Sequence, residues 1–566
     1  MISSIIKWLW IHSVGFRIKI ISCILLSIGS VCFSLLFIES TKIIINNAVN
    51  NRSIAVIIIV GLIGLKIVQL ICEQGEIYLR TLTKSELETS LEKKMFCSLN
   101  DSKIQVEQHF HSGDKIYRLT GDVGLVSESI AFTIPILVYS IFQLVATWIY
   151  LVSMQPVLTV VIGVIAPIVI WAGDYYAKLL IPVSRKVRVE GSRVNEYVQE
   201  HLQHHELITA MGKNKFVQTK LGNLQKTFLK VLKSQIRLTV GADSLTEFGF
   251  ATGYLVVFVW GIYGIRNSVV SYGEFIVFIQ LVGQLQRPLF IFKDQYPSLI
   301  TSFASIERLM EITSLPKDNT NEHLMLRGKP GIRFSNIYFR YSEERQWIFE
   351  NFSYDFRPGT ITAILGETGV GKSTLIRIAL AFLSPQKGVV EIYSDSYDSV
   401  YNVSPRTRCN CVYVPQGNSL ISGTIKYNLL LGNVNATEEQ MREALYIASA
   451  DFVFDKLPDG LDSTVGEKGL GISEGQAQRI AIARSLLQEG GLLLLDEPTS
   501  ALDSITEESF LNRLIKNSIN KTIIIITHKK VIRQYVSDVI TIHERQGYRT
   551  FTQEKIIKNK YNNESF

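Results

Sequence analysis

Charge is scarce in this 566-residue chain, in which only 19% of residues are Asp, Glu, Lys or Arg while 47% are hydrophobic. For a soluble protein that charge fraction is low, and the length exceeds what one domain usually holds. Cysteine is sparse as well. Cys23, Cys32, Cys72, Cys97, Cys409 and Cys411 show neither metal-ligand spacing nor a disulfide framework. Basic and aromatic residues are not interleaved as on a base-stacking surface, so no nucleic-acid partner is expected. The first apolar run, Ile18 to Ile38, is too long for a signal-peptide core and no small-residue cleavage site follows it. It is read as a membrane helix instead.

Long hydrophobic runs fill the first half. Six stretches reach the roughly 20 residues that cross a bilayer, namely Ile18–Ile38, Ile54–Cys72, Ile130–Val152, Val157–Ala177, Phe248–Ile265 and Phe275–Phe290. Three connections are short and hold only Lys42, Arg52 and Arg266 as basic residues. The other two are long and basic, with Arg80, Lys84, Lys93 and Lys94 in one and Arg185, Lys186, Arg188 and Arg193 in the other. The positive-inside rule puts the long loops, and with them both termini, in the cytoplasm. The net charge of +7 is therefore read as a topology signal. Glu86 to Lys94 and Val194 to Leu207 have few breakers and predict helices that continue past the bilayer. His201 and His205 are expected on one helix face, as solvated polar residues rather than a metal site. The polar, Pro-containing stretch Leu315 to Glu322 marks a linker. The boundaries expected are a membrane domain at 1–312, a linker at 313–330 and an α/β domain at 331–566.

The second half carries the chemistry. Gly366-Glu367-Thr368-Gly369-Val370-Gly371-Lys372-Ser373, with Thr374 after it as a further phosphate-site candidate, follows an apolar run, Ile361 to Leu365, and opens into Leu375 to Leu380, which reads as a helix. Strand, glycine loop and helix in that order form a phosphate cradle. Backbone N–H groups and the helix N-terminus receive the phosphate oxygens. Lys372 suits the β- and γ-phosphates, and Ser373 suits Mg²⁺. Downstream, Leu492 to Leu495 reads as a buried strand ending in Asp496 and Glu497. Asp496 suits Mg²⁺, and Glu497 suits orienting and deprotonating an attacking water.

Between these lies Ile472-Ser473-Glu474-Gly475-Gln476-Ala477-Gln478-Arg479. With the phosphate loop and the strand, this segment resembles the signature of the ABC transporter superfamily, usually Leu-Ser-Gly-Gly-Gln. The chain as a whole is similar to an exporter-type half-transporter, a six-helix membrane domain fused to one P-loop α/β domain. The resemblance implies ATP and Mg²⁺ as cofactors. It implies that Tyr341 stacks on adenine, that Gln416 reaches Mg²⁺, and that His528 contacts the γ-phosphate. It also implies that Ser473, Gly475 and Gln476 meet the ATP of a partner subunit across an interface which the Asp503 loop crosses. Val465 to Gly469 looks like the exporter-specific loop, and Gly113 to Val123 and Glu200 to Leu207 like the coupling segments. Glu474 departs from the family's usual Gly, and its carboxylate is expected to point away from phosphate.

The resemblance further implies a dimer with a second copy or a related half-transporter, and two ATPs at the interface. ATP hydrolysis would drive export or flipping of a hydrophobic or amphipathic substrate, such as a lipid, peptide or drug, across the cytoplasmic membrane. An ATP-gated channel or a membrane regulator is the alternative. A peptidase domain before Ile18 and an importer arrangement are both disfavoured. Lys66, inside the second apolar run, is expected either to face the translocation cavity and favour anionic substrates or to snorkel to the headgroups.

Overall fold

The structure, a computed structural model, describes residues 2–50, 56–107, 112–267, 269–318, 322–344, 346–396, 400–466, 471–518, 520–545 and 548–556. It divides into two compact units, Met1–Cys97 with Ser112–Ser314, and Ser98–His111 with Leu315–Phe566.

The first unit is all helix. Its long helices are Arg17–Val49, Val56–Asn100, Ile134–Met154, Pro156–Gln203, Asn214–Arg266 and Tyr272–Thr313. Among the described residues, five helices are long and apolar enough to cross a membrane. The fourth predicted span lies in the Pro156–Gln203 helix, where the side chains of 161–177 lie outside the described residues. Gln155 in extended conformation, with Pro156 at the start of the next helix, makes the break between the third and fourth spans.

The helices are longer than the apolar runs. The first continues through Glu39 to Val49, where the sequence suggests a polar loop. The second carries Glu86 to Lys94 without interruption, as expected. The expected helix from Val194 to Leu207 is instead broken at His204, which separates Pro156–Gln203 from His205–Ala210. His201 and His205 therefore do not share one helix, and His201 Nδ1 lies 2.7 Å from the Tyr197 carbonyl oxygen.

An apolar cluster of Ile38, Leu151, Val257, Phe278 and Leu281 ties four of the helices together. Below it, Asp122 is fully buried and accepts hydrogen bonds from Arg308 at 2.7 and 2.5 Å and from Ser305 at 2.9 Å. Arg118 bridges to Glu311 at 2.7 Å. Both arginine pairs join the start of the third apolar helix to the end of the last one.

The second unit packs helices on a six-stranded sheet. Its strands are β1 (Pro330–Phe339), β2 (Phe349–Phe356), β3 (Ile361–Gly366), β4 (Lys387–Ser394), β5 (Val400–Asn402), β6 (Cys411–Val414), β7 (Gly423–Thr424), β8 (Thr464–Val465), β9 (Leu492–Asp496), β10 (Thr522–Ile526), β11 (Asp538–Arg545) and β12 (Tyr548–Lys555). The main sheet runs β12-β11-β3-β10-β9-β6 and is parallel apart from the β11–β12 hairpin. A smaller antiparallel sheet runs β2-β1-β4-β5.

Every residue of β9, Leu492 to Asp496, and of β10, Thr522 to Ile526, is buried. Continuous apolar strands of this kind fit only the centre of a sheet covered on both faces. Register then does the assembly. Ile526 lies opposite Asp496 and Ile364, and Val414 opposite Leu495. The segments that follow β3, β6, β9 and β10 thus leave one edge of the sheet together, where ligands bind in parallel α/β folds.

Candidate functional site

The first wall of the site is the loop from β3 to the Lys372–Ala379 helix. Gly369 and Gly371 have φ of +89° and +108°, a region open to glycine and strained for other residues. A Cβ on Gly371 would fall 2.6 Å from Ile348, whereas Gly369 has nothing within 4 Å of that position. Gly371 is thus fixed by packing, while Gly369 leaves backbone open to a ligand. The buried Lys372 ammonium donates to the carbonyls of Gly366 at 2.7 Å and Glu367 at 2.8 Å. Burial pushes its pKa down, against the pull of Glu497 and Asp496. A lysine held in this way carries its charge at high cost, so a polyanion that stabilises the charge is favoured there.

The second wall is the end of β9. Asp496 is buried, and its Oδ1 has no hydrogen-bond partner among the described residues. Burial pushes its carboxyl pKa up, against a hydrogen bond from Ser373 that lowers it. Buried oxygens without a partner are rare, and a divalent cation would satisfy this one. Ser373 and Asp496 therefore fit Mg²⁺, which takes one or two protein oxygens plus phosphates and water.

Glu497 sits at φ +48°, a costly conformation for a residue with a Cβ. Two contacts hold it there. Its N–H donates to the Ile526 carbonyl at 2.9 Å, and its carbonyl accepts from Gln478 Nε2 at 2.9 Å. The strained turn aims the carboxylate back across the edge of the sheet. Gln416 Nε2 donates to Glu497 Oε2 at 2.8 Å, and His528 Nδ1 lies 3.8 Å from Oε1. Gln416 thus faces the carboxylate of Glu497, while Asp496 and Ser373 hold each other.

Tyr341, just after β1, is half-exposed. Its hydroxyl lies 3.2 Å from Thr374 Oγ1, and it packs edge-on against Phe339 with ring centroids 5.2 Å apart. The Tyr341 ring therefore flanks the phosphate loop.

The signature segment starts a helix, Glu474–Leu486. Ser473 is its N-cap, and Ser473 and Gln476 form a reciprocal capping box. Glu474 is exposed at the first helical position, where a carboxylate meets the positive end of the helix dipole. The two positions differ sharply in space. A Cβ on Gly475 would fall 2.5 Å from the Ala501 carbonyl oxygen, so glycine is needed at 475, while the neighbouring position tolerates a long side chain.

Asp503 caps the Ser504–Asn517 helix, accepting from the Thr506 N–H at 3.0 Å and hydroxyl at 2.8 Å. Those hydrogen bonds hold its carboxyl below the usual range. Of the exporter-type loop at Val465 to Gly469, only Val465 and Gly466 are among the described residues.

Several residues that shape the site carry no motif of their own. Gln478 is buried and bridges the Glu497 carbonyl, Ser500 and the Ala501 N–H. Lys529 donates to the Thr499 carbonyl and to Glu507, both at 2.8 Å, and Thr499 donates to Glu507 at 2.7 Å. This network ties the turn after β9 to the turn after β10. No local sequence pattern marks these residues, since the Glu474–Leu486 helix also carries Gln476, Arg479 and Arg484.

Comparison with known proteins accounts for both units. The ABC transporter transmembrane region family matches residues 18–289, and the ABC transporter family matches residues 349–500. The uncharacterized ABC transporter ATP-binding protein YwjA of Bacillus subtilis is 27% identical over 78% of this chain and 77% of its own length. The ATP-dependent lipid A-core flippase of Albidiferax ferrireducens is 25% identical over 88% of this chain and 86% of its own. Some other relatives are longer proteins, one of which this chain spans over only 44% of its length. The solved structure of a bacterial Atm1-family ABC exporter with ATP bound superimposes with a TM-score of 0.79, covering 93% of each chain at 19% identity.

Proposed function

Because the chain belongs to the ABC transporter family, as an exporter-type half-transporter whose ATP hydrolysis is coupled to transport, we propose that its working form is a dimer closing on two ATPs. The phosphate loop of each subunit would face the Ser473–Gln476 segment of the other. Closure on ATP would shift the membrane helices between two states, and hydrolysis would reset them. The dimer would export or flip a hydrophobic or amphipathic substrate. The membrane is the cytoplasmic one, with the nucleotide-binding unit and the long helical extensions on its inner side, on the charge asymmetry of the loops.

The observation that carries this reading is the Glu497 carboxylate, forced into a strained turn and held by Gln416 beside His528. In the proposed step Glu497 takes a proton from the attacking water. His528 contacts the γ-phosphate, and Lys372 leaves the loop carbonyls to stabilise the β- and γ-phosphate charge. Tyr341 stacks on adenine. Ser373, Asp496 and Gln416 would hold Mg²⁺, which when bound neutralises charge between the β- and γ-phosphates. Ser473, Gly475 and Gln476 act on the partner's ATP, and Asp503 positions the loop at the interface.

The test is ATP-dependent accumulation of amphiphiles in inside-out vesicles, comparing wild type with Lys372→Ala. Uptake that needs both ATP and Lys372 supports the reading. Uptake that persists without either contradicts it.

A further inference from the structure

The membrane unit contains a cavity of about 250 Å³ among four helices, Arg17–Val49, Val56–Asn100, Ile134–Met154 and Tyr272–Thr313, with the turn preceding the third. Glu73, Glu76, Arg80, Arg287 and Tyr139 line it. Four charged groups around one space among packed helices are costly unless they are paired or meet a ligand.

The four charges are not equivalent. Glu76 and Arg80 satisfy each other at 3.2 Å, and Arg80 also lies over the Phe132 ring, 4.3 Å from its centroid. Glu73 has its Oε1 engaged by Ser30 at 3.0 Å and by Gln69 at 2.8 Å, leaving Oε2 without a hydrogen-bond partner among the described residues. Lys66 donates to Gln69 at 3.1 Å, so it supports Glu73 through that amide and does not line the cavity itself. Arg287 has no ion-pair partner among the described residues. One anion and one cation, unpaired with each other, thus face the same space.

The volume narrows the ligand. It falls below the range for a whole drug-sized molecule and equals roughly eight waters at their liquid volume. The remaining wall combines Ser27 and Ser30 with the apolar Ile77, Phe132, Ile136 and Ile291, and Ile77 is also exposed on the helix surface. A polar headgroup fits inside, with its apolar chain leaving past Ile77 along the outside of the bundle.

We propose that this cavity binds the zwitterionic headgroup of an amphiphile, its phosphate or carboxylate on Arg287 and its ammonium on Glu73. A charge-assisted contact at each end selects both groups. The proposal rests on the exporter reading above and names the class of its substrate.

The experiment is equilibrium binding of lysophosphatidylethanolamine and lysophosphatidylglycerol to the purified full-length protein in detergent. Arg287→Gln should weaken both ligands at least tenfold. Glu73→Gln should weaken only lysophosphatidylethanolamine, by a similar factor, because the second ligand has no ammonium. Arg287→Lys should restore much of the loss, which a merely misfolded variant would not do. Free phosphoethanolamine should compete far more weakly than the lipid, since it lacks the chain. Equal binding of both lipids by wild type and both glutamine variants overturns the proposal. So does competition by phosphoethanolamine at lipid-like concentrations. Either failure leaves ATP-dependent uptake in vesicles intact if the exporter reading is right, so the two claims fail separately.

Discussion

The side-chain amide of Gln416 donates to the carboxylate of Glu497 across 2.8 Å, joining the end of β6 to the end of β9. The bond fixes which way that carboxylate points. Gln416→Ala should therefore lower turnover by about tenfold or more, the scale of one hydrogen bond to a charged group, while ATP affinity changes much less. Steady-state hydrolysis beside equilibrium nucleotide binding separates the two. Loss of affinity with turnover at saturating ATP intact would place Gln416 in binding alone.

Glu474 and Gly475 are neighbours with opposite tolerance. Gly475→Ala puts a methyl where the Ala501 carbonyl already sits. A clash of that kind costs roughly 1–3 kcal/mol and shifts the helix start, so hydrolysis should fall. Glu474→Ala loses only a favourable charge at a helix N-terminus, about 0.3–1 kcal/mol, and should leave turnover near wild type. Thermal unfolding and ATPase assays on both variants check this. Equal damage from the two would refute the spatial argument.

Asp496 sets a pH dependence. Burial raises its folded pKa above the unfolded value. Between the two values the folded state binds more protons, so stability falls as pH rises through that window. Asp496→Asn removes the cost and should raise the Tm of the nucleotide-free protein in EDTA at pH 7. The expected rise is about 2–4 °C, the scale of ~1 kcal/mol in a unit of this size. The advantage should shrink as pH is lowered into the usual carboxylate range. A variant no more stable than wild type at pH 7 would show that the buried carboxylate is satisfied after all. Mg²⁺-dependent hydrolysis should be lost in either case.

Most of the candidate site is local in sequence and was legible there. The glycine loop lies between a strand and a helix, and Leu492 to Glu497 is one strand with its two carboxylates. Their assembly depends on the register of β3, β6, β9 and β10, which no single motif specifies. The supporting contacts were not legible. Gln478, Thr499, Glu507 and Lys529 matter through bonds between turns far apart in the chain, and no local pattern reports those. The membrane cavity was hidden for another reason. Hydropathy ends the second span at Cys72, so Glu73, Glu76 and Arg80 read as the start of a loop. The helix runs on to Asn100, and only the helix phase turns these residues toward Ser30, Tyr139 and Arg287. Lys66 stood out because it sits among apolar neighbours, and in the structure it donates to Gln69, which in turn donates to Glu73.

The most direct test of the account is hydrolysis by Glu497→Gln in the full-length protein reconstituted in lipid. The amide can still accept the hydrogen bond from Gln416, so the turn should keep its shape while the base is removed. The account predicts ATP binding close to wild type and turnover lower by roughly 10²–10⁴. Turnover near wild type with ATP still bound would contradict it.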